Sequence, residues 1–173
     1  MYAGHFAAGL AIKAKVPTGA LLFGTGFLDV LFRLFVILGL EKATMTPHVS
    51  PGFSLDFIDW SHSLMMSLLW AVLFASVFIR RGWLVAGAVA LAVFSYFLLD
   101  LPMHPPDLAL WPHARAPIGL GLWHRLPVGW WWVELAFITG ACAYYVVRSR
   151  TEKTFGGRAG WGGSVQLCSY FIC

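Results

Sequence analysis

The sequence predicts an all-α integral membrane bundle: four transmembrane helices preceded by a short N-terminal re-entrant or interfacial helix. Three observations predict it. Of 173 residues, 59% are hydrophobic and 12% charged, about half the ~25% charged share of soluble domains. Mean hydropathy is +0.73. The apolar residues also gather in long continuous runs rather than in the ~10-residue alternation of a transmembrane barrel. Such a chain is neither a soluble globular domain nor a disordered one, since disorder needs low hydrophobicity and high charge. The net charge of +4 comes without a Lys/Arg-rich run, so no nucleic-acid partner is expected.

Each span follows from length, about 20 apolar residues crossing the ~30 Å hydrocarbon core. The first runs from about Thr18 to Leu40 and carries Asp29 and Arg33; the second runs from about His62 to Ile79. The third, Trp83 to about Leu101, is uncharged until Asp100, and the fourth, about Val128 to Val147, carries Glu134. Ahead of them, Met1–Ala14 is too short to span and lacks the basic start of a cleaved leader. Folded as a hairpin about Pro17, it sets His5 at the same depth as Asp29. The membrane bundle thus occupies 1–150, and the Gly-rich stretch from 151 to 173 reads as a flexible tail. Cys142 lies in the fourth span and Cys168 and Cys173 in the tail, which predicts reduced thiols rather than a disulfide or a zinc finger.

Charge orients the bundle. Lys13, Lys15, Arg80, Arg81, Arg148, Arg150, Lys153 and Arg158, eight of twelve basic residues, fall on one side. The positive-inside tendency makes that side cytoplasmic, with both termini, in a bacterial-type inner membrane. Trp130, Trp131 and Trp132 at one end of the fourth span and Tyr144 and Tyr145 at the other read as aromatic belts.

Sorted this way, five of six histidines (His48, His62, His104, His113 and His124) lie on or beside the outer loops, with Asp56, Asp59, Asp100 and Asp107. These are ligand types for zinc and other divalent ions, and equally the ordinary polar residues of a loop. Asp59 and His62 stand three apart at a helix entrance, where Asp59 also suits an N-cap. Tyr96, Asp100 and His104 share a face if the helix continues past Pro102. Asp29 and Arg33, at i,i+4 within a span, either pair with each other or turn Asp29 toward His5, His62 and Asp100. Glu134 reads as interfacial. The loop from Pro102 to Gly129 holds six of nine prolines and several Trp, and reads as a lid over an outward-facing cavity.

The order of features resembles a known family. Gly4-His5 opens the chain, Asp29 lies in the first span, Ser61-His62-Ser63-Leu64 begins the second, and Asp100 ends the third, followed by His104-x-Pro106-Asp107-Leu108. This is similar to the LexA-binding, inner-membrane-associated, metal-dependent hydrolases, and nearest to their small bacterial permease-type members, over about Met1 to Tyr145. The resemblance implies a metal site opening to the outer face, with His5, Asp29, His62 and Asp100 at the matching positions. One divalent ion, zinc foremost, would polarise a lipid or phosphoester substrate, and His104 would act as general base or as an extra ligand. The sequence departs from the family pattern at Val30-Leu31-Phe32 after Asp29, at Phe57 and Ile58 before His62, and at Tyr96, where further ligands would stand. The alternative is a non-enzymatic transport accessory or assembly partner whose polar residues tie helices together. Haem ligation by paired histidines ranks below both.

Overall fold

The computed structural model describes residues 2–12, 16–45, 53–115, 118–126 and 129–159. His48, the first turn at 13–15 and the tail from 160 onward lie outside them. The described chain is mostly helical: α1 Tyr2–Ala11, α2 Thr18–Thr25, α3 Phe27–Ile37, α4 Asp59–His62, α5 Leu64–Ser76, α6 Trp83–Met103, α7 Leu122–Arg125 and α8 Trp130–Ala159. Helix α8 thus carries helical backbone past 150, into the stretch expected to be a tail.

Two helices are long and apolar enough to cross a membrane, α6 and the Trp130–Arg150 part of α8. A third candidate arises if α2 and α3 form one span bent by 46°. The bend has a local cause in the Gly24-Thr25-Gly26 run. Thr25 Oγ1 donates back to the Leu22 carbonyl at 2.8 Å, a bond that competes with the helix ladder, and Gly26 (φ −98°, ψ 1°) turns the chain. Helix α5 has 13 residues, about 20 Å at 1.5 Å per residue and short of the ~30 Å core. It is parted from α4 by Ser63, whose ψ of 154° is extended.

Helix α6 is the centre of the packing. Its buried positions Ala86, Val89, Val93, Tyr96, Asp100 and Met103 recur at three to four residues, the spacing of one helical face, and meet α5, α2 and α1. Close approach relies on small residues, as expected where lipid removes the hydrophobic drive between helices. Gly24 lies against Ala92, Val93 and Phe74, and Gly9 against Thr25. Helix α8 packs along α1 and turns Trp132, Val133, Tyr144 and Val147 outward, the exterior a hydrocarbon solvent requires.

One departure from the all-helical expectation is an antiparallel hairpin, β1 Lys42–Met45 with β2 Phe53–Phe57, in the register Ala43↔Leu55 and Thr44↔Ser54. The strict alternation Phe53-Ser54-Leu55-Asp56-Phe57 is its signal. Asp56 accepts from Thr44 Oγ1 at 2.6 Å and Ser54 Oγ at 3.0 Å, and these bonds hold its carboxyl below the ordinary value of 3.8.

The Pro-rich loop after α6 lies across two helix ends and satisfies their backbone groups. Ala109 and Leu110 carbonyls accept from the Leu64 and Met65 amides, both at 3.0 Å, at the start of α5, where no intrahelical acceptor exists. At the end of α6 the Leu101 carbonyl would normally receive the amide of residue 105, but Pro105 has none. Leu120 N supplies that bond at 3.0 Å, and Gly121 N bonds the His104 carbonyl at 2.6 Å. A bridge between Leu108 and Ile118 closes the loop over a fully buried Leu108.

Candidate functional site: a buried carboxylate–imidazole cluster beside an apolar cavity

A cavity of about 730 Å³ opens between α3, α8 and the His104 end of α6. Helix α3 contributes Asp29, Phe32 and Arg33, and α8 contributes Trp130, Glu134 and Ile138 with the adjoining Trp131 and Leu135. Both sets follow helical spacing, so one face of each helix looks into the space. His62, Tyr96, Asp100, His104 and Trp123 complete the polar and aromatic part of the wall. The volume falls in the range of small-molecule sites, and so does the character of the wall, largely apolar with few polar groups.

Helix α6 does continue through Pro102, which carries Tyr96, Asp100 and His104 on one face. Asp100, 2% exposed, has Oδ1 3.1 Å from His5 Nε2 and Oδ2 3.5 Å from His104 Nε2. The other nitrogen of His104, Nδ1, meets Asp107 Oδ1 at 3.1 Å. His5 is 1% exposed and stacks on Tyr96 with ring centroids 3.7 Å apart. The His5–Asp100 contact occupies Nε2, and His5 Nδ1 has no hydrogen-bond partner among the described residues. Tyr96 donates its hydroxyl to Asp29 Oδ1 at 2.7 Å, so Tyr96 is the link that brings His5 and Asp29 into one cluster. No ion pair joins Asp29 to Arg33 among the described residues.

His62, 5% exposed, sits edge-on to both Tyr96 and Phe32. Its Nδ1 lies 2.6 Å from Ser61 Oγ. Behind Ser61 stands Glu41, 4% exposed, which accepts from Ser61 N at 2.7 Å and Ser61 Oγ at 2.8 Å. Glu41 carried no signal in the sequence, because it ends an apolar run and precedes a hairpin read as plain loop; its closeness to Ser61 is a tertiary contact. Burial pushes its carboxyl above the ordinary 4.5, against the hydrogen bonds from Ser61. The folded state therefore holds this proton more tightly than the unfolded chain, and stability falls as pH rises from 4.5 through the raised value. Glu41→Gln is expected to remove that slope, read as thermal unfolding in detergent from pH 4 to 8; an identical slope in the variant would refute the assignment.

One expectation is corrected. Asp59 does not cap α4; its Oδ2 accepts the His113 amide at 2.7 Å and anchors the loop. Glu134 is 6% exposed and accepts the Gly4 amide at 3.2 Å at the start of α1, where a carboxylate complements the helix dipole. Exposed His113 and His124 stand apart from the cluster.

The metal expected at His5, Asp29, His62 and Asp100 does not fit this arrangement. Asp100 turns its oxygens toward two imidazoles and Asp29 receives the Tyr96 hydroxyl. Among the described residues no three His, Cys, Asp or Glu side chains form a group that could hold an ion. What the cluster does offer is proton chemistry, with imidazoles oriented by fixed oxygens at the edge of an apolar cavity. No protein-family model, curated protein or solved structure matches the chain.

Proposed function

We propose that this chain is an integral inner-membrane hydrolase that acts on an amphiphilic ester or phosphoester by imidazole acid–base chemistry. In this reading the chain crosses four times: the bent α2–α3 pair, α4–α5 with its following turn, α6 and α8. The basic residues at Arg80–Arg81 and after Arg148 set both termini on the cytoplasmic side, and α1 lies as a re-entrant helix against α6 and α8. The cavity then faces the outer half of the bilayer, within reach of a lipid.

One observation carries the reading. Both histidines in the cavity wall are held at Nδ1 by an oxygen, His62 by Ser61 at 2.6 Å and His104 by Asp107 at 3.1 Å. That is the base-and-orienter arrangement of general acid–base catalysts. His62 Nε2 takes a proton from water as its oxygen bonds to the carbonyl carbon or phosphorus. His104, held at Nδ1 by Asp107, hands the Nε2 proton to the leaving oxygen as the ester bond breaks. Trp123, Trp130, Trp131 and Ile138 seat the apolar tail.

Hydrolysis of p-nitrophenyl palmitate and bis-p-nitrophenyl phosphate by the detergent-purified protein tests this. At least one is expected to turn over, and His104→Ala is expected to slow it by about 10²–10⁴-fold. Equal rates in wild type and variant would refute the role of His104.

A second reading has its own observation. Asp100 ties His5 of α1 to His104 across α6, which also serves a purely structural network in a transport accessory or assembly partner. Under that reading His62→Ala and His104→Ala lower folded yield and no substrate is turned over.

A further inference from the structure

We infer that Glu41 and Ser61 are positioning residues that fix His62 in its Nδ1–H tautomer, leaving the Nε2 lone pair for the cavity. The inference rests on the proposed hydrolase reading for the use made of His62, and on hydrogen-bond accounting for the tautomer itself.

Ser61 Oγ has one proton and four neighbours within reach. They are Glu41 Oε1 at 2.9 Å, Glu41 Oε2 at 2.8 Å, the Ile58 carbonyl at 3.4 Å and His62 Nδ1 at 2.6 Å. Above the raised titration point of Glu41 its carboxylate, like a carbonyl, only accepts. The serine proton then goes to Glu41, the one charged acceptor of the four, because a charge-assisted bond of this kind outweighs a neutral one. Ser61 Oγ is left with lone pairs toward His62 Nδ1. A contact of 2.6 Å between two lone pairs would be repulsive, so Nδ1 must carry the hydrogen. Nε2 is then unprotonated, which is the form a general base needs.

All three groups are buried, at 4%, 0% and 5% exposure for Glu41, Ser61 and His62, so water does not scramble the relay. The backbone assists, because the Ser61 amide donates to Glu41 Oε1 at 2.7 Å and pins the carboxylate in place. That bond alone would make Glu41 a cap for the short α4 helix. It does not account for the hydroxyl, which bridges carboxylate and imidazole.

The test is nitrogen-15 NMR of the full chain in detergent micelles, labelled at histidine. The His62 signals are assigned by their loss in His62→Ala. At a pH above the Glu41 transition, wild-type His62 is expected to show a protonated Nδ1 and a bare Nε2. Ser61→Ala removes the acceptor at Nδ1, and His62 should shift to the Nε2–H form that an unheld imidazole favours. Ser61→Thr retains the hydroxyl and should restore the Nδ1–H form. A wild-type His62 protonated at Nε2, or a Ser61→Ala spectrum unchanged at His62, would overturn the inference. A wild-type Nδ1–H signal in a protein that hydrolyses neither nitrophenyl substrate would instead support the tautomer lock and sink the hydrolase reading alone.

Discussion

Replacing Asp100 by alanine is expected to lower stability by about 3–5 kcal/mol, the range found when one partner of a buried charged pair is removed. Asp100 is 2% exposed and faces His5 at 3.1 Å and His104 at 3.5 Å. Its loss strips from His5 Nε2 the carboxylate that faces it. It also leaves a gap between α1 and α6, which other side chains fill poorly because His5 is stacked flat on Tyr96. Asp100→Asn keeps the volume and one acceptor oxygen, so it should lose distinctly less. Thermal unfolding in detergent compares the three proteins, and an Asp100→Ala variant within about 1 kcal/mol of wild type, a typical substitution effect, would contradict the network.

Gly119→Ala is expected to be comparably damaging, at about 3 kcal/mol or more from strained backbone plus steric overlap. Gly119 adopts φ +138°, and a Cβ there would stand 2.2 Å from the Pro105 carbonyl oxygen and 2.7 Å from that of His104. Both obstacles are backbone atoms, so no rotamer change relieves them. The neighbouring Ile118–Leu108 and Leu120–Leu101 bonds hold the loop over the end of α6, and pushing Gly119 away breaks them together. The loop should then become susceptible to protease within 104–126 while α6 and α8 stay protected. A variant that resists cleavage like wild type would show that this close approach does not hold the loop.

Much of the architecture is legible in the sequence because lipid imposes a simple rule, that long apolar runs become helices. The runs behind α6 and α8 give helices of spanning length, and Tyr96, Asp100 and His104 fall on one face as their spacing requires. The run behind the second expected span gives a short α5 instead, since Ser63 turns to extended backbone and the loop carbonyls of Ala109 and Leu110 take over the helix start. Such a break depends on residues some 45 positions away in the chain, about which local pattern is silent. The cluster divides likewise. His5, His62, Asp100 and His104 were visible as polar residues in an apolar chain, which have to be partnered. Glu41 and Glu134 were not, because a carboxylate beside a span end looks interfacial until tertiary contacts bury it. Tyr96 was legible as a member of the Asp100–His104 face, but its link between His5 and Asp29 is a tertiary contact that spacing does not carry.

The most direct test of the central claim compares hydrolysis of the two nitrophenyl substrates before and after exhaustive chelation, with elemental analysis of the same samples and with His62→Ala and His104→Ala alongside. The account predicts turnover that survives chelation unchanged and falls by about 10²–10⁴-fold in each histidine variant. Turnover that vanishes with chelation, returns with added zinc and tracks near-stoichiometric metal lost in His62→Ala would contradict it, and would mean that His5, His62, Asp100 and Asp29 rearrange around an ion.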